Sequence, residues 1–180
     1  PMLAGVNGSF GIREDGRGRG GLLFNLHIQE WELVSISSRQ DQWGYSPPSP
    51  WGEASFGVTP EGEFLLDAVQ LNGVIRINGS ELTVDCINQI RDSDCPVVLY
   101  TPRFGGQTLT RGGYEVVLTA LELPLKGKYR SRFVIGAVNV EGNSIIPPHS
   151  VVLSLERRLA QTWGSNLIEG ATGELDIALS

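Results

Sequence analysis

Short apolar runs, bounded by glycine, proline or asparagine, recur along this chain. Apolar residues that alternate with polar ones over a few positions are typical of half-buried strands. The pattern predicts strands over 2–7, 20–37, 69–77, 80–84, 97–101, 114–123, 132–140, 151–154 and 175–179. Asn78-Gly79 predicts a tight hairpin turn between two of these strands. Pro60-Glu61-Gly62 predicts another turn, in a hairpin that begins at Phe56.

One segment has helical periodicity instead. Leu155, Leu159 and Trp163 repeat at four-residue spacing, which places them on one face of a helix. Ser154 is a favourable residue to cap the first turn, and Gly164 is expected to end the helix as its C′ residue. With one helix near 154–164 among largely antiparallel strands and hairpins, the sequence predicts an α+β fold, a β-rich mixed domain.

Length and charge narrow the possible partners. At 180 residues, the whole of 1–180 is expected to form a single domain. The net charge of −6 makes a nucleic-acid backbone an unfavourable partner, because it is itself polyanionic. A membrane-spanning helix needs about 18 consecutive apolar residues. The sequence has no such run, so no membrane span is expected.

The two cysteines leave two alternatives open. Cys86 and Cys95 stand nine positions apart, and a disulfide between them would stabilise the fold by roughly 3 kcal/mol. Two unpaired thiols are equally compatible with this spacing. Neither a Cys-x-x-Cys pair nor a histidine pair accompanies them, so no metal site is expected. No cofactor is expected either.

Two segments carry side chains suited to a polar ligand. Asn7 and Ser9 lie on a small-residue turn, where they either contact a ligand or form an ordinary hairpin. Trp43 and Trp51 belong to the long irregular segment 39–52. Their flat faces suit stacking on sugar rings, although aromatic residues also pack into protein cores.

Six segments, in this order, resemble the phosphodiester glycosidase family. They are Val6-Asn7-Gly8-Ser9-Phe10, the glycine-rich turn and strand 18–25, Phe56-Gly57-Val58-Thr59-Pro60-Glu61-Gly62, Ile87-Asn88-Gln89-Ile90-Arg91, Leu99-Tyr100-Thr101-Pro102-Arg103-Phe104-Gly105-Gly106-Gln107-Thr108, and 146–154. The resemblance implies a mixed α/β hydrolase domain. Its substrate would be a sugar-1-phosphodiester or a related glycosidic link of the bacterial envelope, so a carbohydrate or sugar-phosphate ligand is expected. The chain would then be secreted, periplasmic or part of the cell envelope.

The catalytic residues suggested within these segments are Arg91, Asn7 and Asn88. A guanidinium grips phosphate oxygens in a two-pronged fashion, and amides both donate to and accept from sugar hydroxyls. Thr101 and Thr108, with Ser9, Trp43 and Trp51, are the expected substrate-binding residues. The structural alternative for Arg91 is an ion pair with Asp92 or Asp94, and for the threonines it is a position on a strand surface.

The chain departs from the family in one respect. Members usually continue with an Asp-Gly-rich strand and an Asn-Leu-Asp-Gly-Gly-Gly-Ser segment, and neither occurs in these 180 residues. We therefore expect a partial catalytic module, completed by the remainder of the domain or by a second chain. Candidates for the general acid and base are Glu53, Asp67, Asp85, Asp92 and Asp94. The alternative function is that of a non-catalytic carbohydrate-binding or structural β-domain.

Overall fold

The computed structural model describes residues 26–29, 31–37, 53–58, 64–93 and 95–180. Within these ranges the chain forms strands and one short helix. The strands are β1 His27–Gln29, β2 Glu32–Ser37, β3 Glu53–Val58, β4 Phe64–Val69, β5 Leu71–Ile77, β6 Ser80–Val84, β7 Cys86–Ile87, β8 Val97–Tyr100, β9 Tyr114–Thr119, β10 Lys128–Asn139, β11 Val151–Leu155 and β12 Thr172–Leu179. The helix, α1, is Arg157–Trp163, between β11 and β12.

The strands form one large sheet and one separate hairpin. The 10-stranded sheet has the order β1-β2-β7-β8-β11-β9-β10-β12-β5-β6, and β3 pairs with β4 alone. Every described strand pair is antiparallel except β7 with β8, which run parallel. The prediction of largely antiparallel strands and hairpins is confirmed, and the parallel pair makes the sheet a mixed one.

The sheet curls so that β6, at one end of its order, runs directly into β7, near the other end. Asp85 is the single residue between the two strands. Val84 pairs with Gly73 on β5, whereas Cys86 pairs with Val98 on β8. A Cβ atom on Gly73 would lie 2.8 Å from the Cβ of Val84, so glycine permits this close approach. The continuous segment 80–87 thus joins the two ends of a half-barrel.

The core lies on both faces of the central strands. All five residues of β11 and all four of β8 are buried. Alternate residues of these strands enter two clusters, a large one that includes Leu99 and Leu153 and a smaller one that includes Tyr100 and Val152. Because both faces are covered, these strands read as continuous apolar runs in the sequence.

The predicted α+β class is wrong, because the described part of the chain is mostly β and its one helix has only 7 residues. No residue of α1 is fully buried, and the helix contributes only the partly buried Leu159 and Trp163 to the edge of a core that the sheet mainly supplies. Ser154 does not cap the helix: it lies inside β11, and Glu156 occupies the N-cap position. Gly164 does end the helix, but with a right-handed φ of −58° rather than the left-handed conformation of a C′ glycine.

Local turn signals were more accurate than long apolar runs. Asn78 and Gly79 both have positive φ, 51° and 78°, and connect β5 to β6 as predicted. The run predicted as one strand over 20–37 instead contains the hairpin β1–β2, with Trp31 in its turn at a φ of 69°. β3 and β4 confirm the pairing around Pro60-Glu61-Gly62, although that turn and the predicted strand 2–7 lie outside the described residues.

In the described ranges, no helix is long and apolar enough to cross a membrane.

Candidate functional site

A disulfide closes the segment that carries Arg91. Cys86 and Cys95 are bonded to each other, which decides between the two alternatives left by the sequence. Both cysteines are completely buried in the smaller apolar cluster, beside Val98 and Tyr100. The bond therefore ties the loop between β7 and β8 to the core immediately beneath it.

Arg91 is held by main-chain carbonyl groups. Its guanidinium donates hydrogen bonds to the carbonyl oxygens of Leu155 and Gly112, and its main-chain N–H donates to the Tyr100 hydroxyl at 3.2 Å. Gly113, at a φ of 99°, lies directly against the guanidinium, where a Cβ atom would overlap it. Arg91 thus has a fixed position that depends on a glycine at 113.

Arg91 lines a small cavity, which we call the Arg91 cleft. Its volume is about 170 Å³, and it is lined by Ile90, Arg91, Tyr100, Phe104, Thr108, Leu109, Thr110 and Arg111. The rings of Tyr100 and Phe104 meet at a centroid distance of 4.6 Å and a tilt of 58°. The Arg111 side chain is exposed to solvent. Two arginines, two threonines and the aromatic pair Tyr100 and Phe104 are thus among the residues that line the cleft.

The backbone of the cleft loop is strained at one residue. Leu109 has a φ of 54°, in the left-handed region that large side chains rarely adopt. The flanking chain is held by hydrogen bonds from Thr108 N–H to the Ser144 carbonyl at 3.0 Å and from Ile146 N–H to the Gly106 carbonyl at 2.9 Å. Strain of this kind costs on the order of 1–3 kcal/mol and often accompanies binding sites.

A buried carboxylate lies behind the two threonines. Glu115 is only 1% exposed and accepts four hydrogen bonds. Its Oε1 accepts from the hydroxyls of Thr110 at 2.8 Å and Ser154 at 2.7 Å, and its Oε2 accepts from the Thr108 hydroxyl at 3.0 Å and the Ser144 N–H at 2.8 Å. Glu115 is not among the residues that the sequence motifs predict for a site. Its signal is an acidic residue inside an apolar strand.

Asn88 and Thr101 are bonded to each other and do not line the Arg91 cleft. Both are buried. The Asn88 amide nitrogen donates to the Thr101 hydroxyl at 2.8 Å and to the Val34 carbonyl at 2.6 Å, and its oxygen accepts from the Thr101 N–H at 2.8 Å. The amide is thus used within the fold, where it connects β2 to the end of β8.

Of the predicted site residues, the structure brings Arg91 and Thr108 into one cleft. Asn7, Ser9, Trp43 and Trp51 lie outside the described residues, so their roles stay predictions.

The candidate acids and bases have other positions. Asp92 accepts a hydrogen bond from the Cys95 N–H at 3.2 Å, and Asp85 lies where β6 meets β7. Asp94 lies outside the described residues, and Glu53 and Asp67 belong to β3 and β4.

No family model matches this chain, and no curated protein matches it. Two solved structures share its fold. A hypothetical protein from Synechocystis is 13% identical with a TM-score of 0.61, over 89% of this chain and 26% of the other. A protein of Burkholderia pseudomallei K96243, provisionally named as exported, is 14% identical with a TM-score of 0.60, over 97% of this chain and 37% of the other. The chain thus spans between about a quarter and somewhat over a third of the length of these proteins, and the likeness concerns the fold alone. The disulfide is compatible with secretion.

Proposed function

We propose that this chain is part of a phosphodiester glycosidase-like hydrolase, which acts on a sugar-1-phosphodiester or a related envelope glycan link in a secreted, periplasmic or cell-envelope protein. The observation that carries the proposal is that two arginines, Arg91 and Arg111, line one cleft with Thr108 and Thr110. Guanidinium groups suit phosphate oxygens, and threonine hydroxyls suit a sugar.

The size of the cleft suits a small polar group. Its volume of about 170 Å³ equals that of about six water molecules in the liquid. This is enough for a phosphoryl group with part of a sugar ring, but it is below the range typical of drug-sized ligands. The strained backbone at Leu109 gives further support, because such strain is kept where the surroundings hold a site in shape.

The proposed roles follow from the contacts. Arg91 has five N–H donors, and its hydrogen bonds to described carbonyl groups leave some of them for a ligand oxygen. Arg111 is exposed and supplies a second cation. The Asn88 amide is used within the fold, so we assign it a structural role between β2 and the end of β8 rather than contact with the substrate. Contacts from Asn7 and Ser9, and stacking by Trp43 and Trp51, remain part of the proposal.

The hydrolytic step requires a general acid and base. In our proposal these come from the remainder of the catalytic domain or from a second chain. Catalysis is therefore tested in the complete protein, and ligand binding in the chain itself.

The binding experiment compares two exposed arginines by isothermal titration with inorganic phosphate and glucose 1-phosphate. Arg111→Ala should weaken the binding of both ligands by about tenfold or more, since a hydrogen bond to a charged group contributes roughly 1.5–3 kcal/mol. Arg132→Ala is the control: this residue is also exposed but lies on β10, away from the Arg91 cleft. Equal effects of the two variants, or no binding by the wild type, would overturn the assignment of the cleft.

In the complete protein, Arg111→Ala should lower the rate of sugar-1-phosphodiester hydrolysis while Arg132→Ala leaves it unchanged. Binding of an uncharged glycan by the wild type, with neither phosphate binding nor hydrolysis, would favour the non-catalytic carbohydrate-binding module instead. Loss of that glycan binding in Trp43→Ala or Trp51→Ala would then locate the site.

A further inference from the structure

We infer that Glu115 is a positioning residue that makes the threonine side of the Arg91 cleft a hydrogen-bond acceptor, which selects ligands carrying a free sugar hydroxyl beside a single phosphoryl group. This inference rests on the proposed function and deepens it. Glu115 itself does not line the cleft. It acts through the hydroxyls of Thr108 and Thr110.

The carboxylate determines where the hydroxyl protons point. A carboxylate offers about four acceptor positions, and those of Glu115 meet three hydroxyls and one main-chain N–H. Each hydroxyl has only one proton to donate. The protons of Thr108 and Thr110 are therefore directed at Glu115 and away from the cleft.

The two threonine oxygens consequently act only as acceptors. Thr110 already accepts from the Asn143 N–H at 2.8 Å, so Thr108 is the threonine with the greater remaining capacity. Its oxygen lies 3.3 Å from that of Thr110, and neither has a proton left for the other. A ligand group beside Thr108 gains a hydrogen bond only if it donates.

The two sides of the cleft thus play opposite hydrogen-bonding roles. Arg91 and Arg111 donate hydrogen bonds, and Thr108 accepts them. A sugar phosphate matches both, because its phosphoryl oxygens accept and its hydroxyls donate. A second phosphoryl group beside Thr108 would place acceptor against acceptor, with the Glu115 carboxylate directly behind.

The decisive comparison uses Thr108→Val and Thr108→Ser with two probes, inorganic phosphate and glucose 1-phosphate. Thr108→Val removes the acceptor oxygen. It should weaken the binding of glucose 1-phosphate by about three- to tenfold and leave the affinity for phosphate unchanged. Thr108→Ser keeps the hydroxyl and should retain the wild-type ratio of the two affinities. A merely structural role of Thr108 would not change this ratio.

A second variant tests Glu115 itself. In Glu115→Gln, the amide oxygen should take the Oε2 position, because the Ser144 N–H can only donate. The amide nitrogen then faces Thr110 and Ser154, whose hydroxyls must accept, and the Thr110 proton is released. Inorganic pyrophosphate should therefore gain affinity relative to glucose 1-phosphate by about three- to tenfold.

The outcomes separate the inference from the proposed function. If wild-type protein binds phosphate but Thr108→Val weakens phosphate and glucose 1-phosphate equally, the inference fails and the proposed function stands. If neither probe binds the wild type, both fail. Should Glu115→Gln not fold, the two Thr108 variants still decide.

Discussion

Asp85 and Val97 exchange two hydrogen bonds at the point where the curled sheet closes. The Asp85 N–H donates to the Val97 carbonyl at 3.0 Å, and the Val97 N–H donates to the Asp85 carboxylate at 2.9 Å. One side chain thus continues the strand pairing across the bend between β6 and β7.

Replacement of Asp85 should destabilise the fold through the Val97 N–H. Asp85→Ala removes its acceptor and should lower the free energy of unfolding by about 1–3 kcal/mol. Asp85→Asn keeps a side-chain oxygen in place and should lose much less. Urea unfolding of the three proteins at neutral pH measures the difference, and equal losses in both variants would argue against the hydrogen bond.

The stability should also depend on pH through Asp85. Burial raises the pKa of Asp85 above its ordinary value of 3.8, although the Val97 hydrogen bond opposes the shift. Between the ordinary and the raised pKa the native state binds more protons than the unfolded state. Stability therefore falls as the pH rises through this window. The Asp85→Asn variant lacks this group, so its stability relative to wild type should improve from pH 3.5 to pH 7. A difference independent of pH would contradict this cause.

The disulfide should contribute substantially to stability. Cys86→Ala with Cys95→Ala should lower the free energy of unfolding by about 3 kcal/mol, mainly because the unfolded chain regains the freedom of the loop. A thiol reductant should destabilise the wild type under conditions where the bond is accessible, and should leave the double variant unaffected. Guanidinium unfolding with and without reductant checks both expectations. If the reductant also destabilises the double variant, its effect on the wild type cannot be assigned to this disulfide.

Gly113 should be sensitive to substitution because of Arg91. Gly113→Ala introduces a Cβ atom at positive φ and into the guanidinium, so Arg91 must leave the carbonyl groups of Leu155 and Gly112. We expect a loss of about 3 kcal/mol or more, the sum of left-handed strain and broken hydrogen bonds. Gly170→Ala is the control, since its φ of 83° imposes comparable strain where nothing lies within 4 Å. Similar losses of stability in Gly113→Ala and Gly170→Ala would show that displacing the Arg91 guanidinium does not destabilise the fold.

Asn88 should behave as a structural residue. Asn88→Ala breaks its bonds to Val34 and Thr101 and places alanine at a φ of 53°, so a loss of about 3 kcal/mol or more is expected. In calorimetry the folded variant should still bind phosphate, because the amide does not line the Arg91 cleft. Loss of phosphate affinity in a folded Asn88→Ala protein would instead indicate that Asn88 contributes to the ligand site.

Sequence patterns captured the features that depend on neighbouring residues. Asn78-Gly79 encodes its turn in two residues, and the apolar run in β8 indicates a buried strand. The predicted helix begins too early because Leu155 fits its four-residue spacing. In the structure Leu155 belongs to β11, where it pairs with Val97 on β8 and Tyr114 on β9. The local helix or strand propensity of a segment does not include its pairing with strands that are distant in the sequence.

The cleft was only partly predictable for the same reason. Arg91 and Thr108 were selected from the motifs, whereas Arg111 and Glu115 were not. The partners of Glu115 include residues 29 and 39 positions away, so only the folded sheet brings them together. A single acidic residue in an apolar strand is the one trace of this arrangement in the sequence.

The continuity of β6 and β7 has a mechanical consequence. Closure of the half-barrel depends on the continuous main chain as well as on strand pairing, since residues 80–87 form β6 at one end of the sheet and β7 near the other. A proteolytic nick at Asp85 would let the sheet flatten while each ladder stayed intact. The two fragments would remain associated, because β5 still pairs with β12 and β2 still pairs with β7.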